Sequence, residues 1–324
     1  MSEWSARPKV ELHLHLEGAA PPALVRDLAA EKGTSLAGLF DERGAYRRSD
    51  FAAFLRAYEA AASVMRGPED YARLTRAVLE ESAAQGVAYQ EAFVSPDLCG
   101  GGEMSAWREH VAAIEEAASG GPMLRVVATC IRHLGPERAR AAALCAAETA
   151  GPFVTGFGMG GDEAAGRARD FAWAFDCARE AGLGITSHAG EWGGPASVRE
   201  TLDALRPSRI GHGVRAVEDP RLVDDLAEQG VVLEVCPGSN VALGLFPSVE
   251  RHPIARLREA GVAVTVSTDD PPFFGTTLGA EWEALERAFG WGPEDLDALN
   301  RVALGAAFCD EATRSEVEKL LEAA

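Results

Sequence analysis

Eight stretches of strand character alternate with helices along this chain, and no glycine-rich GxGxxG turn follows the first of them. The scarce histidines and a pair of aspartates recur at the C-terminal ends of those stretches. These observations predict an α/β protein, a (β/α)8 TIM barrel with extra helices after strand 1 and at the C-terminus. Such a barrel keeps its site at the C-terminal ends of its strands. With no linker, low-complexity tract or internal repeat, residues 1–324 are expected to form one domain.

The first strand lies in Lys9-Val10-Glu11-Leu12-His13-Leu14-His15-Leu16-Glu17-Gly18. Its apolar and polar residues alternate with the period of two that a strand requires. His13 and His15 therefore project from one face of one rigid element, where they can converge on a metal ion; on a helix they would splay. Pro21 to Lys32 reads as a helix stopped by Gly33. Residues 50–66 form a second helix with Asp50 as N-cap, and Pro68 opens a third that runs to Gly86. This insertion is long enough to cover one end of a site.

Further strands are expected at 87–94, 124–131, 153–158, 184–188, 209–213, 231–235 and 262–267. Helices are expected at 104–118, 136–149, 166–182, 195–205, 217–229 and 252–260. The segment 278–324 reads as helical, with Trp282, Leu285 and Phe289 on one face.

Hydrophobic residues make up 47% of the 324, ample for a packed core. The net charge of −19 argues against nucleic acid or an anionic membrane as partner and says little about a small neutral substrate. The six cysteines form no CxxC pair, which fits free thiols in a reducing compartment. MSEWSARPKV offers no apolar core for a signal peptide, and there is no 18-residue apolar run. A cytoplasmic location is expected.

Histidine occurs only seven times, yet His13 and His15 end strand one, His188 ends strand five and His212 ends strand six. Asp269 and Asp270 follow strand eight. Three imidazoles and a carboxylate suit zinc and leave a position for water, whose pKa zinc lowers to about 7. Attack on an amidine-like ring carbon also needs an acid for the ring nitrogen. Glu191, three residues after His188, is the natural general acid/base, and His212 would orient or polarise the water. Each residue has a plainer reading: packed barrel histidines, an Asp-Asp-Pro turn cap, a solvated loop glutamate, a Gly160-Gly161 turn. Their shared position at strand ends favours a site.

The motifs HxH-LEG (from His13), GGDE (from Gly160), SHAGE (from Ser187), RIGHG (from Arg209), EVCPGSN (from Glu234) and STDDP (from Ser267) follow in this order. The set resembles the adenosine deaminase family of metal-dependent amidohydrolases. That resemblance implies one zinc per chain held by His13, His15, His188 and Asp269. It implies that Glu191 protonates purine N1 and that His212 acts on the attacking hydroxide. Asp270 would hydrogen-bond purine N7, and the backbone N–H of Gly161 would meet N3. The expected reaction is deamination of adenosine or 2′-deoxyadenosine to the inosine form and ammonia. Free adenine, or a modified nucleoside such as 6-aminodeoxyfutalosine, is the alternative substrate.

Departures from the family pattern bear on that choice. Glu17 stands where the adenosine enzymes usually carry an aspartate that helps hold ribose, and Phe93 where many place arginine. Against free adenine, Trp192 follows SHAGE without the second glutamate common in adenine deaminases. RIGHG likewise has a glycine where those enzymes tend to have aspartate. Strand four, ending Gly156-Phe157-Gly158, offers no lysine or glutamate to bridge a second metal. A non-catalytic zinc protein would need neither Glu191 nor His212.

The remaining histidines and tryptophans have local expectations. His110 should be solvated on its helix, His252 should cap the helix after Pro253, and His133 could line the pocket. Trp107, Trp173 and Trp282 read as packing residues, and Trp192 as a wall of the pocket.

Overall fold

The computed structural model describes residues 3–47 and 50–323, so Ala324, the end of the expected C-terminal helical segment, lies outside them. Eight parallel strands follow in sequence order around one sheet. They are β1 (Lys9–His15), β2 (Val87–Val94), β3 (Met123–Ile131), β4 (Val154–Gly160), β5 (Gly184–Ala189), β6 (Arg209–His212), β7 (Val232–Val235) and β8 (Val264–Val266). Each connection carries helix over the outside, giving a (β/α)8 barrel. Sequence boundaries hold to within a few residues. The largest shortening is at β8, where pairing covers three residues instead of the six expected.

The pleat of β1 sorts its residues as the alternation requires. Val10 and Leu12 pack with Ala303, Leu304 and Val317 of the C-terminal helices, and Leu14 and Leu16 join the main core. The opposite face carries His13 and His15 to the top of the barrel. Closure between β1 and β8 is made at that top. His15 N–H donates to the Asp269 carbonyl (3.0 Å), and Asp269 N–H to the His13 carbonyl (3.1 Å). Below, side chains replace the ladder. The Ser267 hydroxyl oxygen accepts from Leu12 and His13 N–H, and Glu11 accepts from the Thr268 N–H (2.9 Å) and hydroxyl (2.6 Å). The Asn300 amide bridges Val10 N–H and the Pro8 carbonyl.

Between β1 and β2 lie helices Pro22–Glu31, Phe51–Ala62 and Pro68–Ala84. Asp50 caps the second, its carboxylate accepting from Ala53 N–H at 2.8 Å, an interaction typically worth about 1 kcal/mol. The C-terminal segment forms Leu278–Phe289, Pro293–Ala306 and Glu311–Glu322. Trp282 and Leu285 are buried as expected, while Phe289 is only half-buried.

Two local expectations are corrected. His110 is buried, because it shares the inward stripe of Trp107, Val111 and Ile114. Its Nδ1 lies 2.6 Å from the Ala106 carbonyl, and its ring meets Tyr71 edge-on. Trp173 is 45% exposed and lies under the Arg140 guanidinium at 5.0 Å, so it is a surface residue, unlike Trp107 and Trp282. The six cysteines are free, four of them buried. Among the described residues no helix is long and apolar enough to cross a membrane.

Candidate active site

Strand ends gather the expected polar residues at one mouth. His13, His15, His188 and Asp269 each present a ligand atom, all within 4.8 Å of one another. The Asp269 carboxylate lies 3.5 Å from His13 Nε2 and 3.3 Å from His15 Nε2, and His15 Nε2 lies 3.2 Å from His188 Nε2. Such crowding of lone pairs is stable only around shared positive charge. His13 Nε2 is buried and has no hydrogen-bond partner among the described residues. Three imidazoles and a carboxylate converging with an orphaned nitrogen fit zinc.

A second ring of contacts fixes these groups. His13 Nδ1 faces Glu234 at 2.8 Å and donates to it, which leaves the lone pair on Nε2. Glu234 in turn accepts from the Thr186 hydroxyl and pairs with Arg209 at 2.6 Å. Gly211 permits the crowding, since a Cβ there would sit 2.9 Å from the His13 ring and 3.0 Å from the His188 ring. Asp269 and His212 both have left-handed backbones, φ +66° and +58°, a conformation seldom adopted by residues other than glycine.

The acids line a cavity beside that cluster. Glu191, Asp270 and Glu17 face it together with Gly161, His212 and His133. Burial, then the Asp269 charge, pushes both Glu191 and Asp270 well above the carboxylate range. Asp270 Oδ1 has no partner. Gly18 makes room for it, for a Cβ at that position would collide with the Asp270 carboxylate. Burial also raises Glu17 to about 7, against hydrogen bonds donated by the hydroxyls of Tyr71 (3.0 Å) and Tyr58 (3.3 Å). Burial lowers His212 to about 4.

The far wall comes from the helical insertion, which supplies Phe51, Phe54, Leu55 and Tyr58, and from Leu98, Ile131 and Leu243. As expected, the insertion covers one end of the site, and His133 lines the cavity. Trp192 takes a different place from that expected: it is absent from the lining and packs behind Phe51 at 4.9 Å. The cavity holds about 100 Å³, below the roughly 300 Å³ at which pockets for drug-sized ligands begin.

Three contributors to the site's geometry escaped the sequence reading. Glu163 accepts from the backbone N–H groups of Gly190, Glu191, Trp192 and Gly193, shaping the loop that carries Glu191. Burial works to raise its pKa, but the Ser197 hydroxyl and these N–H groups outweigh it and hold the carboxylate below its ordinary range. Glu234 orients His13, and Asn240 lies against His212. A single acid inside the apolar strand Val232–Val235 was a signal for Glu234. The motifs GGDE and EVCPGSN contain all three residues without showing what they touch.

Comparison with known proteins agrees with this geometry. The sequence profile of the adenosine deaminase family matches residues 8–324. An adenine deaminase of Rhizobium leguminosarum bv. trifolii (strain WSM2304) is 50% identical over 312 residues, covering 94% of this chain and 96% of that one. The crystal structure of adenine deaminase from Arthrobacter aurescens superposes with a TM-score of 0.89 at 29% identity, covering 98% of this chain and 99% of that one. An amidohydrolase from Burkholderia ambifaria, solved with bound zinc, gives a TM-score of 0.82 at 26% identity over 99% and 93%.

Proposed function

This chain belongs to the adenosine deaminase family, and from that premise we propose that it hydrolyses free adenine to hypoxanthine and ammonia, using one zinc ion. It is a hydrolase of C–N bonds in cyclic amidines, acting on an adenine-type ring. The observation that carries the finer reading is the 50% identity, over nearly the whole length, to proteins named adenine deaminase. The nucleoside expected from the sequence gives way to its alternative, the free base. The apolar wall of Phe51, Phe54, Leu55, Leu98 and Ile131 supports this, because it suits the flat face of a free base.

His13, His15, His188 and Asp269 would hold zinc, whose Lewis acidity brings the pKa of water to about 7. Gly160 supports a single metal. Strand β4 ends there, two residues beyond the sequence boundary, and a Cβ on Gly160 would lie 3.4 Å from the rings of His15 and His188. No bridging side chain projects from that position.

Glu191, protonated through its raised pKa, gives its proton to ring N1 as water adds at C6. The proton lost by water returns through the same carboxyl to the 6-amino group. The C6–N bond then breaks and ammonia leaves, and as the C6 carbonyl forms its hydroxyl proton passes to Glu191, which is protonated again for the next turnover. Asp270, which lines the same cavity, donates to N7 from its carboxyl. The backbone N–H of Gly161 meets N3. Glu17 lies on the adjoining edge and receives the imidazole N–H that a nucleoside lacks.

Ultraviolet assays with adenine, adenosine and 2′-deoxyadenosine test the assignment. Adenine should have the highest kcat/KM, and Glu17→Asp should shift the adenine-to-adenosine ratio. Faster turnover of adenosine would sink the free-base reading, and an unchanged ratio would remove Glu17 from recognition.

A further inference from the structure

His252 and Asn240 are buried and have no part in the chemistry described above. They form a line of hydrogen bonds whose polarity is fixed at one end by the backbone. The N–H of Ile254 donates to His252 Nδ1 at 3.2 Å, which fulfils the expected capping role of His252. A main-chain N–H cannot reverse, so His252 Nδ1 must carry a lone pair and the ring proton must sit on Nε2. Burial keeps His252 neutral, lowering its pKa to about 3. Its Nε2–H faces Asn240 Oδ1 at 3.1 Å, and that contact orients the amide. The Asn240 NH2 group then faces His212 Nδ1 at 3.3 Å. An amide NH2 can only donate, so His212 Nδ1 must accept.

We propose that His252 and Asn240 are positioning residues that hold His212 in the tautomer with its proton on Nε2. His212 then meets the incoming oxygen as a hydrogen-bond donor, stabilising charge on it, and does not act as the base that deprotonates it. His212 Nε2 lies in the right place, 3.8 Å from Glu191 Oε2 and 3.9 Å from Asp269 Oδ2, between the acid and the metal cluster. The left-handed backbone of His212 helps aim it there. The signal in sequence terms is the separation of twelve residues between Asn240, in the short helix Pro237–Ala242 after β7, and His252, before Ile254–Glu259.

The inference rests on the deaminase reading for its consequence, but its first test does not. Nitrogen-15 NMR of histidine-labelled protein, zinc-loaded and metal-free, reports which ring nitrogen of His212 is protonated, with resonances assigned by substitution. Wild type should show His212 protonated at Nε2. A proton on Nδ1 in the wild type overturns the proposal, whichever purine is the substrate. Asn240→Asp offers His212 an acceptor in place of a donor, so the proton should move to Nδ1. Turnover should then fall about 100-fold with KM little changed. His252→Gln keeps an N–H for Asn240 Oδ1 and should retain the wild-type tautomer and rate, whereas His252→Leu should give mixed tautomers. Wild-type turnover in Asn240→Asp also overturns the assignment. Should either destabilising variant fail to fold, the wild-type spectrum decides alone. A wild-type protein with Nε2–H that deaminates no purine would refute the functional reading and leave the tautomer assignment standing.

Discussion

Glu191 must give up a proton and regain one within each turnover, and its surroundings suit both states. Burial and the Asp269 charge favour the acid, while a loop of fixed shape keeps the carboxyl beside His212. Glu191→Gln keeps the shape and loses the proton. It should retain full metal occupancy by elemental analysis and lose about 10³-fold in kcat. Near-normal turnover would remove Glu191 from its role. At this scale the sequence was most informative about residues that act directly. His13, His15, His188, Glu191, His212, Asp269 and Asp270 were legible because strand ends collect them, and the structure brings them to one mouth. Glu163 and Asn240 were not, because each acts through another group. Spacing along a chain does not reveal which N–H a carboxylate faces from across the barrel. His110 misled for a related reason: its helical stripe is readable, but a histidine in it looks polar until the edge of Tyr71 is seen against it.

Among elements, the loop leaving β5 is held by a residue distant in sequence. Four consecutive backbone N–H groups converge on Glu163, an acceptor from the neighbouring strand connection. Glu163→Gln replaces one acceptor oxygen by an NH2 that confronts those donors. Turnover should fall about 100-fold from misplacement of Glu191, with zinc retained. Hydrogen exchange at residues 190–193 should rise in parallel, and unchanged protection there would count against the loop's dependence on Glu163. Strands were easier to foresee than the path of such loops, because a period of two is local. β8 was overestimated mostly at its start, where the Val262 N–H turns back to the Leu257 carbonyl at 3.1 Å; at its end the Ser267 hydroxyl accepts from backbone N–H groups of β1. The insertion between β1 and β2 was read correctly as a cover for the site. Its aromatic residues could be placed over the cavity only once the helix Phe51–Ala62 was seen lying across it.

The barrel as a whole is closed by the same residues that are proposed to hold the metal. His13 and His15 stand on one side of the β1–β8 seam and Asp269 on the other, joined by two backbone hydrogen bonds. A bound ion therefore ties the seam. At a free metal concentration 1,000 times its Kd, one ion stabilises the native state by about 4 kcal/mol. Chelation should lower Tm by roughly 5–10 °C, with β1 and β8 losing amide protection first. An unchanged melting curve in a chelator that demonstrably strips the protein would refute this coupling. The seam also orders events during synthesis. A growing chain has made His13, His15 and His188 long before Asp269 leaves the ribosome, and β8 emerges just ahead of that aspartate. Completion of the donor set and closure of the barrel thus coincide, so a nascent or truncated chain cannot present the finished centre. The donor set and the β1–β8 seam both wait on Asp269.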